Sequence, residues 1–254
     1  MSEIRRINIL GVAIDNVNSQ EAIGVIRRSI LSKRCNIVVT PNVDHIMQLQ
    51  KDSELRRIYD EALLVLPDGA PILWAARVIG RTFKEKVSGA DIFPKICQEA
   101  ALYDFKVFLL GGRPNAAAKT AEVLKGDIPS LQIVGIYSPP YGFENDSREN
   151  QKIIQMIKTA APDILFVGLG TPKQEKWIYA NCKDYYVPIS MGVGASFEFY
   201  SGIIRRAPLW MQQKGLEWFW RLIQEPRRLW KRYLVDDWKF FILVLKQRIL
   251  QRNN

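Results

Sequence analysis

Asp68 stands between Pro67 and Gly69, directly after the short apolar run 63–66. A carboxylate in a tight turn at a strand end is a candidate general base, because ligands of open parallel sheets sit at the carboxyl ends of the strands. The competing role is a cap for the helix that follows. Glycine-rich turns occur at 111–112, 168–170 and 192–194, each after an apolar run and each leading toward helical sequence. Such turns let backbone N–H groups approach a phosphate, and a helix start adds partial positive charge. Gly111, Gly112, Gly168, Gly170, Gly192, Val193 and Gly194, with Lys173, are therefore candidate contacts for an anionic, nucleotide-type ligand. None of the turns completes G-x-G-x-x-G, and no G-x-x-x-x-G-K-[ST] occurs, which argues against NAD and ATP.

Other reactive residues are sparse. Asp44 and Asp91 resemble Asp68 in setting, with caps or surface charges as their simpler roles. His45 is the only histidine and has no G-x-S-x-G partner, so a triad hydrolase is disfavoured and a structural place at a helix start is expected. Metal-ligand spacings are missing: there is no Asp-x-Asp, Asp236-Asp237 falls in helical sequence, and 52–54 and 144–146 read as solvated. Cys35, Cys97 and Cys182 are far apart and form no C-x-x-C, as suits a reducing compartment.

These residues need a scaffold that brings strand ends together. Short apolar runs at 6–10, 36–40, 63–66, 106–110, 132–137, 164–167 and 187–191 alternate with helical periodicity at 19–31, 43–62, 70–79, 90–103, 115–125, 147–160 and 172–182. Continuous apolar runs mark strands buried on both faces. The alternation predicts an α/β fold, a mostly parallel sheet covered by helices on both faces, over residues 1–204. Asn18 and Glu21 have the spacing of a capping box for the first helix.

From residue 205 the pattern changes. Residues 205–254 hold 12 Lys and Arg against 4 Asp and Glu, a net charge of +8 out of +10 for the chain, and five of its seven tryptophans. Two helices are expected, 207–225 and 226–251, with Pro226 starting the second. Trp230, Leu234, Trp238, Phe241, Leu245 and Ile249 recur at spacings of three and four and form an amphipathic stripe. The longest apolar run of the tail, 240–245, is far short of the roughly 20 residues of a membrane span. The N-terminus does not read as a signal peptide. A basic, tryptophan-rich appendage fits an anionic membrane surface. Nucleic acid is the alternative of another class, disfavoured because no recognised binding motif is present.

Five strings then carry a resemblance. T-P-N at 40–42, P-D-G at 67–69, K-V-S-G-A-D at 86–91, G-L-G-T-P-K-Q-E-K-W at 168–177 and G-V-G-A-S-F at 192–197 resemble the WecG/TagA/CpsF glycosyltransferases, family 26. G-L-E-W-F-W-R-L-I-Q-E-P-R-R-L-W-K-R-Y at 215–233 looks like their C-terminal appendage, and the resemblance runs in order from about residue 5 to 233.

The resemblance implies a Rossmann-like core of GT-E type with a helical appendage. It also implies an inverting transfer of a sugar from a UDP-sugar to an undecaprenyl-diphosphate-linked saccharide, with no metal or other cofactor. UDP-N-acetylmannosamine is the expected donor; UDP-glucose and UDP-N-acetylmannosaminuronic acid are the alternatives within the family. By the same motifs Asp68 is the base. Thr40, Asn42, Asp91, Gln174 and Glu175 line the substrate pocket. Arg221 and Arg228, with Lys231 or Arg232, reach a diphosphate. Lys86 stands where the family often has Arg, keeping the charge but losing the two-pronged geometry of a guanidinium. The expected location is peripheral, on the cytoplasmic face of the bacterial cell membrane, with self-association left open.

Overall fold

Six apolar runs pair side by side, all in one direction, and this sets the architecture. The computed structural model describes residues 4–32, 34–231 and 237–252. The strands are β3 (Asn36–Val39), β4 (Leu64–Val65), β5 (Lys106–Gly111), β6 (Gln132–Tyr137), β7 (Ile164–Gly168) and β8 (Ile189–Gly192). Their order across the sheet is β4-β3-β8-β7-β5-β6, and every neighbouring pair is parallel.

Side chains alternate along each strand and enter two separate cores, as the pleat requires. Val39, Val65, Phe108, Leu110, Leu165 and Val167 pack under α2 (Val43–Leu49), α3 (Ser53–Glu61), α4 (Ala70–Val78), α7 (Ser147–Ala160) and α8 (Lys173–Tyr185). Val38, Leu64, Val107, Leu109, Phe166 and Met191 pack under α1 (Ser19–Leu31), α5 (Gly89–Leu102), α6 (Ala116–Asp127) and α9 (Ser196–Tyr200). The expected α/β sheet with helices on both faces is what the chain forms.

Three local expectations need correction. The first run does not join the sheet: β1 (Arg6–Ile9) folds back on β2 (Val12–Asp15) as an antiparallel hairpin, because Leu10 and Gly11 both adopt positive φ and close a two-residue turn. Asp15 ties this hairpin to the sheet by accepting from the Val65 N–H at 2.7 Å. The helix expected over 43–62 is two, since the Asp52 side chain accepts the Leu55 N–H at 2.9 Å and starts α3. The helix expected over 207–225 is also two, α10 (Leu209–Gln213) and α11 (Glu217–Gln224). Gly215 between them has φ +73°, and a Cβ there would lie 2.5 Å from the Ala70 Cβ. Of the helix expected over 226–251 the described parts are α12 (Pro226–Lys231), which begins at Pro226, and α13 (Asp237–Arg252); residues 232–236 lie outside the described residues.

The tail also returns to the body of the protein. α13 buries Phe240 and Val244 completely in the core beneath α2 and α4. Gln247 accepts from the Leu10 N–H at 2.9 Å and donates to the Asn8 carbonyl at 3.0 Å. The expected stripe is a different face: Trp238, Leu245 and Ile249 are exposed, Phe241 is partly buried, and Leu234 lies outside the described residues. Among the described residues no helix is long and apolar enough to cross a membrane.

Because Phe240 is buried with α13 docked, Phe240→Ala should cost about 3–5 kcal/mol in urea unfolding. A change below about 0.5 kcal/mol would mean that α13 lies outside the cooperative unit.

Candidate active site

Parallel strands place all their carboxyl ends on one edge of the sheet, and the motif loops converge there. Two backbone hydrogen bonds lace the first three together: Asp68 N–H to the Pro41 carbonyl at 3.1 Å, and Val87 N–H to the Pro67 carbonyl at 2.9 Å. The Gly89 backbone meets Thr40 so closely that a Cβ would lie 3.3 Å from the Thr40 Oγ1 and 3.6 Å from the Val193 carbonyl. Further along, the Gly112 N–H donates to the Gly168 carbonyl at 2.6 Å, joining the loops after β5 and β7.

Gln174 fastens the other two loops. It is buried, and its Oε1 accepts from the Gly170 N–H at 3.2 Å and the Gly194 N–H at 3.0 Å. Its Nε2 donates to the Glu175 Oε1 at 2.8 Å. A Cβ on Gly192 would sit 2.6 Å from that Nε2, so a glycine is required for the amide to pass beneath the loops. Gln174 therefore joins the loops after β7 and β8 through one side-chain oxygen.

Asn42 and His45 close the start of α2 as a capping box: the Asn42 Oδ1 accepts the His45 N–H at 3.4 Å and meets the His45 Nδ1 at 2.8 Å. The other ring nitrogen of His45 faces the Glu175 Oε1 at 3.6 Å. Burial works to raise the Glu175 pKa, but the His45 ring and the Gln174 amide outweigh it and leave the carboxyl below its usual range. Glu175 Oε2 and the hydroxyl of Tyr59 are buried without partners among the described residues.

Asp68 is set apart from these bonded groups. The cap of α4 is Gly69, with no side-chain cap, so the capping role weighed for Asp68 is not the one it has. Its carboxylate makes no hydrogen bond or ion pair to a described residue. Burial pushes its pKa up to about 6; Glu217 and Asp91 add to the rise, while Lys86 and His45 oppose it.

The neighbouring charges form a four-membered network. Lys86 Nζ lies 3.2 Å from the Asp91 Oδ2 and 3.8 Å from the Glu217 Oε2. Arg206 reaches the Asp91 Oδ1 at 2.6 Å and the Glu217 Oε1 at 2.9 Å. Burial alone would raise the Asp91 pKa, but the Ser88 hydroxyl, Lys86 and Arg206 hold it below its ordinary value. Glu217 and Arg206 were not singled out from the sequence. Glu217 sits inside the quoted G-L-E-W string, which was its one available signal; Arg206 was one basic residue among twelve.

The tail is strapped over the site at a second point. Arg113 meets the Glu225 Oε1 at 2.5 Å, while its N–H donates to the Glu198 Oε1 at 2.8 Å. Arg221 stacks over Phe199 at 5.4 Å, and its Nε is buried with no partner among the described residues. Lys173 turns aside to pair with Glu144 and lies over Tyr141. Arg232 lies outside the described residues, as do the side chains of Arg228 and Lys231.

The site thus offers a carboxylate without a partner among the described residues, cations and glycine-rich backbone on one edge. Comparison with known proteins agrees with that chemistry. The family model described as "Glycosyl transferase WecG/TagA/CpsF family" matches residues 7–254. A Bacillus subtilis (strain 168) protein named N-acetylglucosaminyldiphosphoundecaprenol N-acetyl-beta-D-mannosaminyltransferase is 29% identical over 233 residues, 91% of this chain and 88% of that protein. One of the same name from Bacillus spizizenii is 31% identical over 209 residues, 82% of this chain and 78% of its own length. Another from Staphylococcus aureus (strain MW2) is 24% identical over 250 residues, 98% and 96% of the two chains. With the family model spanning the sheet, its glycine-rich edge and the tail alike, the chain belongs to the WecG/TagA/CpsF family of glycosyltransferases.

Proposed function

We propose that this chain transfers N-acetylmannosamine from UDP-N-acetylmannosamine to an N-acetylglucosamine carried on undecaprenyl diphosphate, forming a β linkage with inversion. The names of its relatives support the sugar and the acceptor. One feature carries the chemistry: the Asp68 carboxylate has no hydrogen-bond or ion-pair partner among the described residues, and burial pushes its pKa up to about 6, so at neutral pH it is ionised and ready to accept a proton.

In the reaction Asp68 takes the proton of the acceptor hydroxyl. That oxygen attacks the anomeric carbon, the new C–O bond forms opposite the leaving group, and UDP departs with the electron pair of the broken C–O bond. The loops holding Gly111, Gly112, Gly168, Gly170, Gly192, Val193 and Gly194 cradle the nucleotide diphosphate with backbone N–H groups. Lys86 and Arg221 add charge where it develops. Thr40, Asn42 and Asp91 orient the sugars, and Gln174 with Glu175 hold the loops in place. No metal is assigned a role. The exposed Trp230, Trp238, Leu245 and Ile249, beside the tail's net charge of +8, would rest on the cytoplasmic membrane surface where the acceptor is embedded.

Asp68→Asn should lower transfer by at least about 10²-fold. The same change should stabilise the protein. Folding raises this pKa, so the ionised form costs stability above about pH 6, and that cost disappears below the unfolded value of 3.8. Thermal unfolding at pH 7.5 should show a gain of about 2 kcal/mol that vanishes near pH 3.5. Near-normal turnover in this variant would remove Asp68 from the mechanism.

For the wild type, kcat/KM should fall as the pH drops through about 6. Glu217→Gln removes a like charge and frees Lys86, both of which lower the Asp68 pKa, so the acid limb should move to lower pH. A limb that stays put or moves up would disconnect Glu217 from the base. In sedimentation with anionic vesicles, replacing Trp238 and Leu245 by Ser should weaken binding severalfold while transfer to a short-chain, water-soluble acceptor persists; equal sedimentation would argue against this face as the contact.

A further inference from the structure

Close in the chain to Asp68, the protein has a groove of about 350 Å³. Its floor starts at Ala70, two residues beyond the carboxylate, and it runs between α4 and α10. β4 is the edge strand and α4 follows it, whereas the loops of β8, β7 and β5 lie across β3. The groove and the nucleotide loops therefore flank the base from opposite sides.

Two chemistries meet in this groove. Arg77, Lys86 and Lys214 line it, and no carboxylate does. Arg77 and Lys214 are exposed and have no acidic partner among the described residues, unlike Lys86 and Arg206 in the network next door. The remaining wall is apolar: Leu73, Trp74 at 37% exposure, and Leu209 at 72%. Gly215 packs against Ala70 and Trp74, which fixes α10 beside α4 and keeps the groove formed in the absence of ligand.

We infer that this groove receives the diphosphate and first isoprenoid units of the acceptor, with Arg77 and Lys214 contacting the diphosphate and Trp74 and Leu209 covering the lipid. The inference rests on the proposed transfer reaction for its occupant and goes beyond it in assigning the acceptor's place. Unpartnered cations beside exposed apolar side chains match a prenyl diphosphate; a nucleotide sugar has the anion without the lipid. Entry from this side brings the acceptor sugar to Asp68 while the donor approaches from the loops.

The test uses the full chain with Arg77→Gln and Lys214→Gln combined; both side chains are exposed, so folding should be retained. The acceptor KM should rise about tenfold or more, as expected for losing two charged contacts, while the donor KM and the affinity for UDP stay within twofold. An unchanged acceptor KM, or a rise confined to the donor KM, would overturn the inference. Calorimetry with farnesyl diphosphate gives a readout independent of catalysis: the wild type should bind it more tightly than inorganic diphosphate, the double variant should bind it about tenfold more weakly, and Trp74→Ser with Leu209→Ser should erase the preference for the lipid. Equal binding by all three proteins would refute the groove. Prenyl diphosphate binding that follows these variants, in a protein that transfers no sugar from UDP-N-acetylmannosamine, would instead refute the proposed reaction and leave the groove standing.

Discussion

Because all six strands of the sheet run the same way, their carboxyl ends and the loops that follow share one edge. A parallel sheet needs both faces covered, and the crossovers supply the helices that cover them. Backbone N–H and C=O groups on the loop edge have no further strand to pair with. Here they are joined to one another: Asp68 to Pro41, Val87 to Pro67, Gly112 to Gly168, and Gly170 and Gly194 to the single oxygen of Gln174. Segments as far apart in the chain as Gly112 and Gly168 are thereby held within hydrogen-bond distance before any substrate arrives.

Within that frame the carboxylates divide by partner. Asp91 and Glu217 are held by Lys86 and Arg206, and Glu175 by His45 and Gln174. Asp68 has none of these, and burial raises its pKa while the paired acids nearby push further. A shielded carboxylate with no partner among the described residues is costly to the fold when ionised, and the same burial moves its titration toward neutral pH. Two of the network's members, Arg206 and Glu217, belong to the tail, and Glu217 is among the charges that raise the Asp68 pKa.

The tail does three things with different faces. Glu217 and Glu225 clamp it to the site through Lys86, Arg206 and Arg113. Phe240 and Val244 bury α13 in the core, and Gln247 ties it to the hairpin. Trp238, Leu245 and Ile249 stay exposed. An exposed apolar stripe thus sits on a helix whose opposite face is locked to the core, so its direction relative to the loop edge is fixed.

Much of this was legible in the residues. Continuous apolar runs gave the buried strands, Asn18 and Glu21 the first cap, Pro226 a helix start, and the position of Asp68 at a strand end made it a base candidate. Local chemistry of this kind is written in spacing, because hydrogen bonds and burial act over a few residues. The failures were also local in origin: Leu10-Gly11, Asp52 and Gly215 each redirect the chain with one residue inside an otherwise continuous pattern. What the spacing could not carry was pairing across the fold. That Gln174 spends its amide on two loops, that Glu217 meets Lys86 and Arg206, that α13 buries Phe240 instead of the Trp238–Leu245 stripe, and that Arg77 and Lys214 face one groove all depend on how distant elements pack. The sequence by itself determined the sheet and the family and marked Asp68 as a candidate; the tertiary structure alone decided which charges that carboxylate feels, since through-space electrostatics depends on distance and burial and neither is a property of position along the chain.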